Sequence, residues 1–99
     1  MAKERQINST ARPMTFLMVL SIDGQTPATG LSPTVTISKN GGAFGAAAGA
    51  VTEIGNGLYA LAGNATDRNT LGEFNLYAIA DTADDANERY DIIAGDPYA

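Results

Sequence analysis

Apolar and polar positions alternate along most of this chain with the period of two that places successive side chains on opposite faces of a strand. Pro33–Asn40 is the clearest case: Val35 and Ile37 fall on one face, Thr34, Thr36 and Ser38 on the other. Leu71–Asp81 is the longest, with Phe74, Leu76 and Ala78 against Asn75, Tyr77 and Ile79. Val51–Ile54 and Leu58–Ala62 flank Gly55-Asn56-Gly57 and predict a hairpin. Arg89–Ile93 sets Tyr90 and Ile92 against Asp91 and Ile93. Met14–Ile22 is apolar on both sides, with Phe16, Met18 and Leu20 opposite Leu17 and Val19, which predicts a strand covered on both faces.

Turn chemistry separates these runs. Asp23-Gly24, the loop Gln25–Ser32, Asn40-Gly41-Gly42, the polar loop Asn64–Thr70 and the acidic loop Asp81–Glu88 punctuate the chain. Ala43–Ala50 has few side chains large enough to pack and reads as a loop or weak edge strand. Met1–Arg12 is polar without periodicity and is followed by Pro13, so it reads as an extended N-terminal arm that the rest can fold without. The expectation is an all-β sandwich of about six or seven short antiparallel strands over residues 13–99, preceded by an arm at 1–12.

Composition narrows the chemistry. The 99 residues form one domain, with 44% apolar and only 17% charged positions and eleven glycines. Cysteine and histidine are absent, which removes disulfides, thiolate chemistry, the commonest metal ligand and the usual general base near neutral pH. Ser21 and Ser38 therefore have no histidine to activate them. Glu53, Glu73 and Asp67 are the candidates for a glycosidase carboxylate pair, but a sugar cleft is normally lined by aromatic residues and there is no tryptophan. Tyr59, Tyr77, Tyr90 and Tyr98 read as packing groups before sugar-stacking ones. Gly41-Gly42 and Gly55-Asn56-Gly57 lack the lysine of a phosphate loop.

The net charge of −5 is unevenly placed: residues 1–12 carry +2 and residues 81–99 carry −5. Such an acidic domain repels nucleic-acid phosphate. Asp81, Asp84 and Asp85, beside Asn87 and Glu88, are weak calcium candidates whose spacing departs from the EF-hand pattern; a solvated acidic loop is the commoner reading. The apolar run Met14–Leu20 is too short to span a membrane and no signal-peptide cleavage pattern follows it, so synthesis in the cytoplasm is expected.

One longer pattern stands out. Gly30–Ile37, Gly41-Gly42, Val51–Tyr59, Asn64–Asp67 and Thr70–Gly72 together read Gly-Leu, Pro-Thr-Val-Thr-Ile, Gly-Gly, Val-Thr-Glu-Ile-Gly-x-Gly-x-Tyr, Asn-Ala-Thr-Asp and Thr-Leu-Gly. This resembles a small module that recurs in tailed-phage and prophage structural proteins, and with Arg12–Val19 the resemblance covers residues 12–93. The chain departs from it at Leu58, often tryptophan in the module, and after Ala80, where it is more acidic. The resemblance implies an immunoglobulin-like β-sandwich without enzymatic activity, cofactor or membrane contact. It implies a virion component: foremost a capsid decoration or cement protein bridging major capsid subunits and forming a homo-oligomer in the particle, alternatively a head–tail connector or tail accessory subunit. A carbohydrate-binding or host-adhesion module is the alternative from a different class. The residues expected to meet partners are Lys3, Arg5, Ile7 and Arg12 of the arm, Phe16 and Met18 of the doubly apolar strand, and Tyr98 of the tail.

Overall fold

The computed structural model of the chain describes residues 3–95. Among these the fold is all-β, eight strands in two sheets without a helix: β1 (Glu4–Gln6), β2 (Met14–Leu17), β3 (Thr34–Lys39), β4 (Gly45–Ala46), β5 (Val51–Gly55), β6 (Leu58–Leu61), β7 (Gly72–Ile79) and β8 (Ala86–Ile93). The larger sheet runs β1-β8-β7-β3-β4 and the smaller β2-β6-β5. The core lies between them. Met14 and Phe16 of β2, Tyr59 and Leu61 of β6, Val35 and Ile37 of β3, Phe74, Leu76 and Ala78 of β7, and Tyr90 and Ile92 of β8 are all buried there. These are the apolar positions that alternation assigns to one face, because a two-layer fold can bury only one side of each sheet.

The β5–β6 connection is the two-residue loop Asn56-Gly57, with φ of 54° and 83°, the positive pair that matches the twist of a tight hairpin. Gly57 is required for a second reason: a Cβ there would lie 2.8 Å from the Met18 carbonyl oxygen.

Two phenols tie the layers. Tyr59 stacks on Phe16 at 5.9 Å, and its hydroxyl donates to the Ala28 carbonyl (2.8 Å) while accepting from the Leu31 N–H (3.0 Å). It thereby pins the long crossover from β2 to β3. Tyr90 reaches from β8 to β2, where its hydroxyl accepts from the Thr15 N–H (3.0 Å) and donates to the Thr15 carbonyl (3.3 Å).

The polar loop 64–70 hides the largest fully buried side chain, Arg68. Asn64 shapes the turn by accepting the Thr66 and Asp67 N–H groups at 2.9 and 3.2 Å. The neighbouring pair then clamps in two directions. Asp67 accepts the Ala48 and Gly49 N–H groups at 2.8 and 3.0 Å, holding the β4–β5 connection. The Arg68 guanidinium donates to the carbonyls of Ala11 (2.6 Å), Arg12 (2.8 Å) and, more distantly, Ser9 (3.5 Å). Burial holds this guanidinium below its ordinary pKa, and the nearby Arg5 charge adds to that while Asp67 opposes it.

This clamp corrects the expectation for the N-terminal segment. Residues 3–12 do not form an arm apart from the domain. β1 pairs in parallel with β8, Glu4 opposite Asp91 and Gln6 opposite Ile93, and closes one edge of the larger sheet. The Asp91 N–H donates to the Lys3 carbonyl and the Ile7 N–H to the Ile93 carbonyl, both at 2.8 Å. Ile7 packs on the core, and the Lys3 and Arg5 cations sit 5.3 and 4.9 Å from the centre of the Tyr90 ring. Gly63 admits the segment so closely that a Cβ would stand 2.2 Å from the Thr10 carbonyl oxygen. Backbone pairing and one buried cation hold it, and neither leaves an apolar period in the sequence.

Other boundaries shift less. The Met14–Ile22 run is a regular strand only to Leu17; single bridges, Val19 to Pro27 and Leu20 to Ala83, follow it. The acidic loop is shorter than expected because β8 already begins at Ala86.

Replacing Arg68 by methionine is expected to cost about 3 kcal/mol, since it leaves the Ala11 and Arg12 carbonyls unpaired, and lysine is expected not to restore it because one ammonium cannot fork to both. Urea unfolding measures this, and deletion of residues 1–12 should lower the midpoint as well; a truncated chain as stable as the whole would return the segment to a free arm. Tyr90→Phe is expected to cost ~1–2 kcal/mol in the same assay.

Candidate interaction surface

The core-facing side chains leave a second face on the larger sheet. There β3 presents Thr34 and Thr36, β7 presents Tyr77 and Ile79, and β8 presents Asn87. Register sets Thr34 beside Ile79 and Thr36 beside Tyr77, with Asn87 on the other side of Tyr77. Phe44, from the connection between β3 and β4, lies against this row with its ring 5.9 Å from that of Tyr77. The six residues line an open groove of about 390 Å³. A second hollow of about 300 Å³, lined by Ser32, Thr34, Ile79, Ala80 and Asp81, adjoins it at Thr34 and Ile79, and the adjoining pair is the trough of this face.

The trough is apolar in the middle and acidic at one end. Phe44 is 51% and Ile79 43% exposed. Asp81 stands in the wall and the Asp85 carboxylate accepts the Tyr77 hydroxyl proton, which holds that phenol above its ordinary pKa. The loops behind are joined through backbone bonds, Ser21 N–H to the Thr82 carbonyl and Asp84 N–H to the Val19 carbonyl, each 2.9 Å. They carry Ile22, 89% exposed, together with Asp23 and Asp84. Thr82 has φ of 66°, a left-handed conformation uncommon for a β-branched residue. Toward the far end of the same face the surface is charged but paired: Arg89 bridges Glu73 (3.0 Å) and Asp91 (3.3 Å).

The residues singled out from the sequence are distributed differently. Phe16 and Met18, expected to meet partners, are buried in the core, because the face they share points between the sheets. Ile7, Lys3 and Arg5 are engaged at the β1 edge as described, and Lys3 also pairs with Glu88. Arg12 is exposed, with φ of 56° and its carbonyl on Arg68 and Arg5. Tyr98 lies outside the described residues. Asp81, Asp84 and Asp85 are not drawn together: among the described residues no group of three acidic side chains is placed to hold a metal ion.

The carboxylates considered for hydrolysis have structural partners. Glu53 accepts the Gly30 N–H (2.8 Å) and the Gly57 N–H (3.4 Å), Glu73 pairs with Arg89, and Asp67 is the buried clamp. Of the tyrosines, Tyr59 and Tyr90 are core, and Tyr77 stands on the trough. Sequence reasoning overlooked Phe44, an isolated aromatic among glycine and alanine, whose only signal was being out of place in a stretch too small to pack.

No family model, curated protein or solved structure matches the chain.

One carboxylate has a value that can be checked directly. The Thr26 hydroxyl, then the Gln25 and Thr26 N–H groups, hold Asp23 below the ordinary 3.8, at about 2. The folded value is the lower one, so the stabilisation of this turn is complete above pH ~4 and is lost as pH falls through about 2. A carbon-13 carboxyl titration should place the Asp23 midpoint near the bottom of that window, and Asp23→Asn should flatten the loss of stability across it.

Proposed function

We propose that this chain is a non-enzymatic structural module of a tailed-phage particle, with immunoglobulin-like connections, serving as a capsid decoration or cement protein on the major capsid subunits. Strand order supports the fold part of the reading. Lettering β2 to β8 as B, C, C′, D, E, F and G turns the sheets into G-F-C-C′ and B-E-D, with β1 as an extra parallel strand on G. The segments that carry the phage resemblance fall at structurally demanding places. Pro33–Ile37 leads into and forms most of β3, Val51–Tyr59 is the β5–β6 hairpin with its Glu53 tie, and Asn64–Asp67 is the turn before the buried arginine.

The observation that carries the functional part is the use made of the polar side chains. Glu53, Asp67, Arg68, Tyr59 and Tyr90 all hold backbone groups, while Phe44, Ile79 and Ile22 stand exposed. A domain arranged in that way offers surface for burial against another protein rather than chemistry. With Tyr59 and Tyr90 in the core, the glycan-binding alternative keeps only Tyr77 among the described tyrosines.

The test is co-sedimentation of the purified chain with capsid shells that lack it, at low and high salt. Saturable binding is expected, weaker at high salt where charge contributes. Absence of binding to shells, with binding to tail or connector assemblies, would move the protein to those structures; binding to neither would end the virion reading.

A further inference from the structure

We propose that the trough on the outer face of the larger sheet receives an extended segment of a partner protein that lays apolar side chains, two residues apart, on its floor and carries basic side chains at the end that meets Asp81 and Asp85. The inference deepens the reading of the chain as a binding module and rests on it only for the source of the partner.

The apolar floor is the row Thr36–Tyr77 and Thr34–Ile79, flanked by Phe44. Side chains on alternate residues of an extended peptide recur about every 7 Å, the same interval that separates Tyr77 from Ile79 along β7. A peptide lying along the strand thus places its own alternate residues over successive floor positions. The two hollows, about 390 and 300 Å³, accept side chains of leucine or phenylalanine size without rearrangement.

The charged half is the rim. Asp81 and Asp85 stand at the trough, with Asp84 and Asp23 on the loops behind, and among the described residues none of the four enters an ion pair. Basic side chains engaged elsewhere include Lys3 with Glu88, Arg5 with the Glu4, Arg12 and Pro13 carbonyls, Lys39 with the Thr66 carbonyl and the Asn69 side chain, Arg68 with the Ala11 and Arg12 carbonyls, and Arg89 with Glu73 and Asp91. The uncompensated negative field attracts arginine or lysine and repels acidic segments. It also disfavours a second copy as occupant, because a symmetric pairing sets a net-negative face against itself. Thr82, held at positive φ in the loop that ends the trough, is the kind of local strain that collects at binding sites.

The experiment is a selection of random displayed peptides against the whole chain, followed by nitrogen-15 chemical-shift mapping of the enriched sequences. Peptides with apolar residues two apart and arginine or lysine toward one end are expected, with shifts centred on Thr34, Tyr77 and Ile79. Ile79→Asp, at a position 43% exposed and so tolerated by the fold, should weaken binding roughly tenfold or more. The Asp81→Asn, Asp85→Asn pair should weaken it several-fold and flatten its salt dependence. Enrichment of acidic or purely apolar peptides, shifts elsewhere, or no enrichment at all would overturn the proposal. So would a dimer in sedimentation that Ile79→Asp dissociates. Capsid shells separate this failure from that of the particle reading. Shell binding unaffected by Ile79→Asp removes the trough and keeps the particle; trough-bound peptides with no shell binding do the reverse.

Discussion

A guanidinium in a protein interior has to be met by acceptors on all sides, and at Arg68 these are main-chain carbonyls from a segment more than fifty residues away. The adjacent buried Asp67 supports its charge through space, while its own oxygens accept the Ala48 and Gly49 N–H groups. One dipeptide in an Asx-capped turn therefore positions both the N-terminal segment and the β4–β5 connection. The rest of the architecture depends on it, because β1 closes the edge of the larger sheet and its side chains cover Tyr90, which in turn caps β2. Without that chain of contacts the two sheets would share a core but lack a fixed corner.

The same economy appears in other polar residues. Tyr59 and Glu53 both hold the β2–β3 crossover, Glu53 at Gly30 and Tyr59 at Ala28 and Leu31. Lys39 spans from β3 to the loop that carries Arg68. Long connections without helices leave many backbone donors and acceptors unpaired, and in this fold side chains satisfy them. Among the described residues no buried side-chain nitrogen or oxygen is left without a partner.

Burial on one side also explains the surface. Once Val35, Ile37, Phe74, Leu76 and Ala78 face the smaller sheet, the intervening residues of β3 and β7 must face out. At one end of the face these are Asn75 and Glu73, near the paired Arg89; at the other they are Tyr77 and Ile79, joined by Phe44 and edged by aspartates. The division along a single sheet face gives the molecule a polar half with paired charges and an apolar half edged by aspartates.

Strand identity and core composition were legible in the chain from alternation alone, as β3, β7 and the β5–β6 hairpin show, because period-two patterning and positive-φ turn residues are local properties. The absence of histidine and cysteine likewise bounded the chemistry before any fold was known. What the sequence did not determine were contacts between distant, non-periodic segments. The parallel pairing of β1 with β8 uses backbone groups that every residue possesses, so Glu4–Gln6 carries no distinguishing pattern. Arg68 and Asp67 sit in a stretch whose composition is that of a solvated loop, and only tertiary packing at Gly63 and Gly49 turned them inward. Phe16 and Met18 were legible as strand residues, but which of two apolar faces met the core was decided when the sheets came together. The trough has the same origin: Phe44 and Ile79 are thirty-five residues apart, and they share a surface because β3 and β7 are neighbours in the folded sheet.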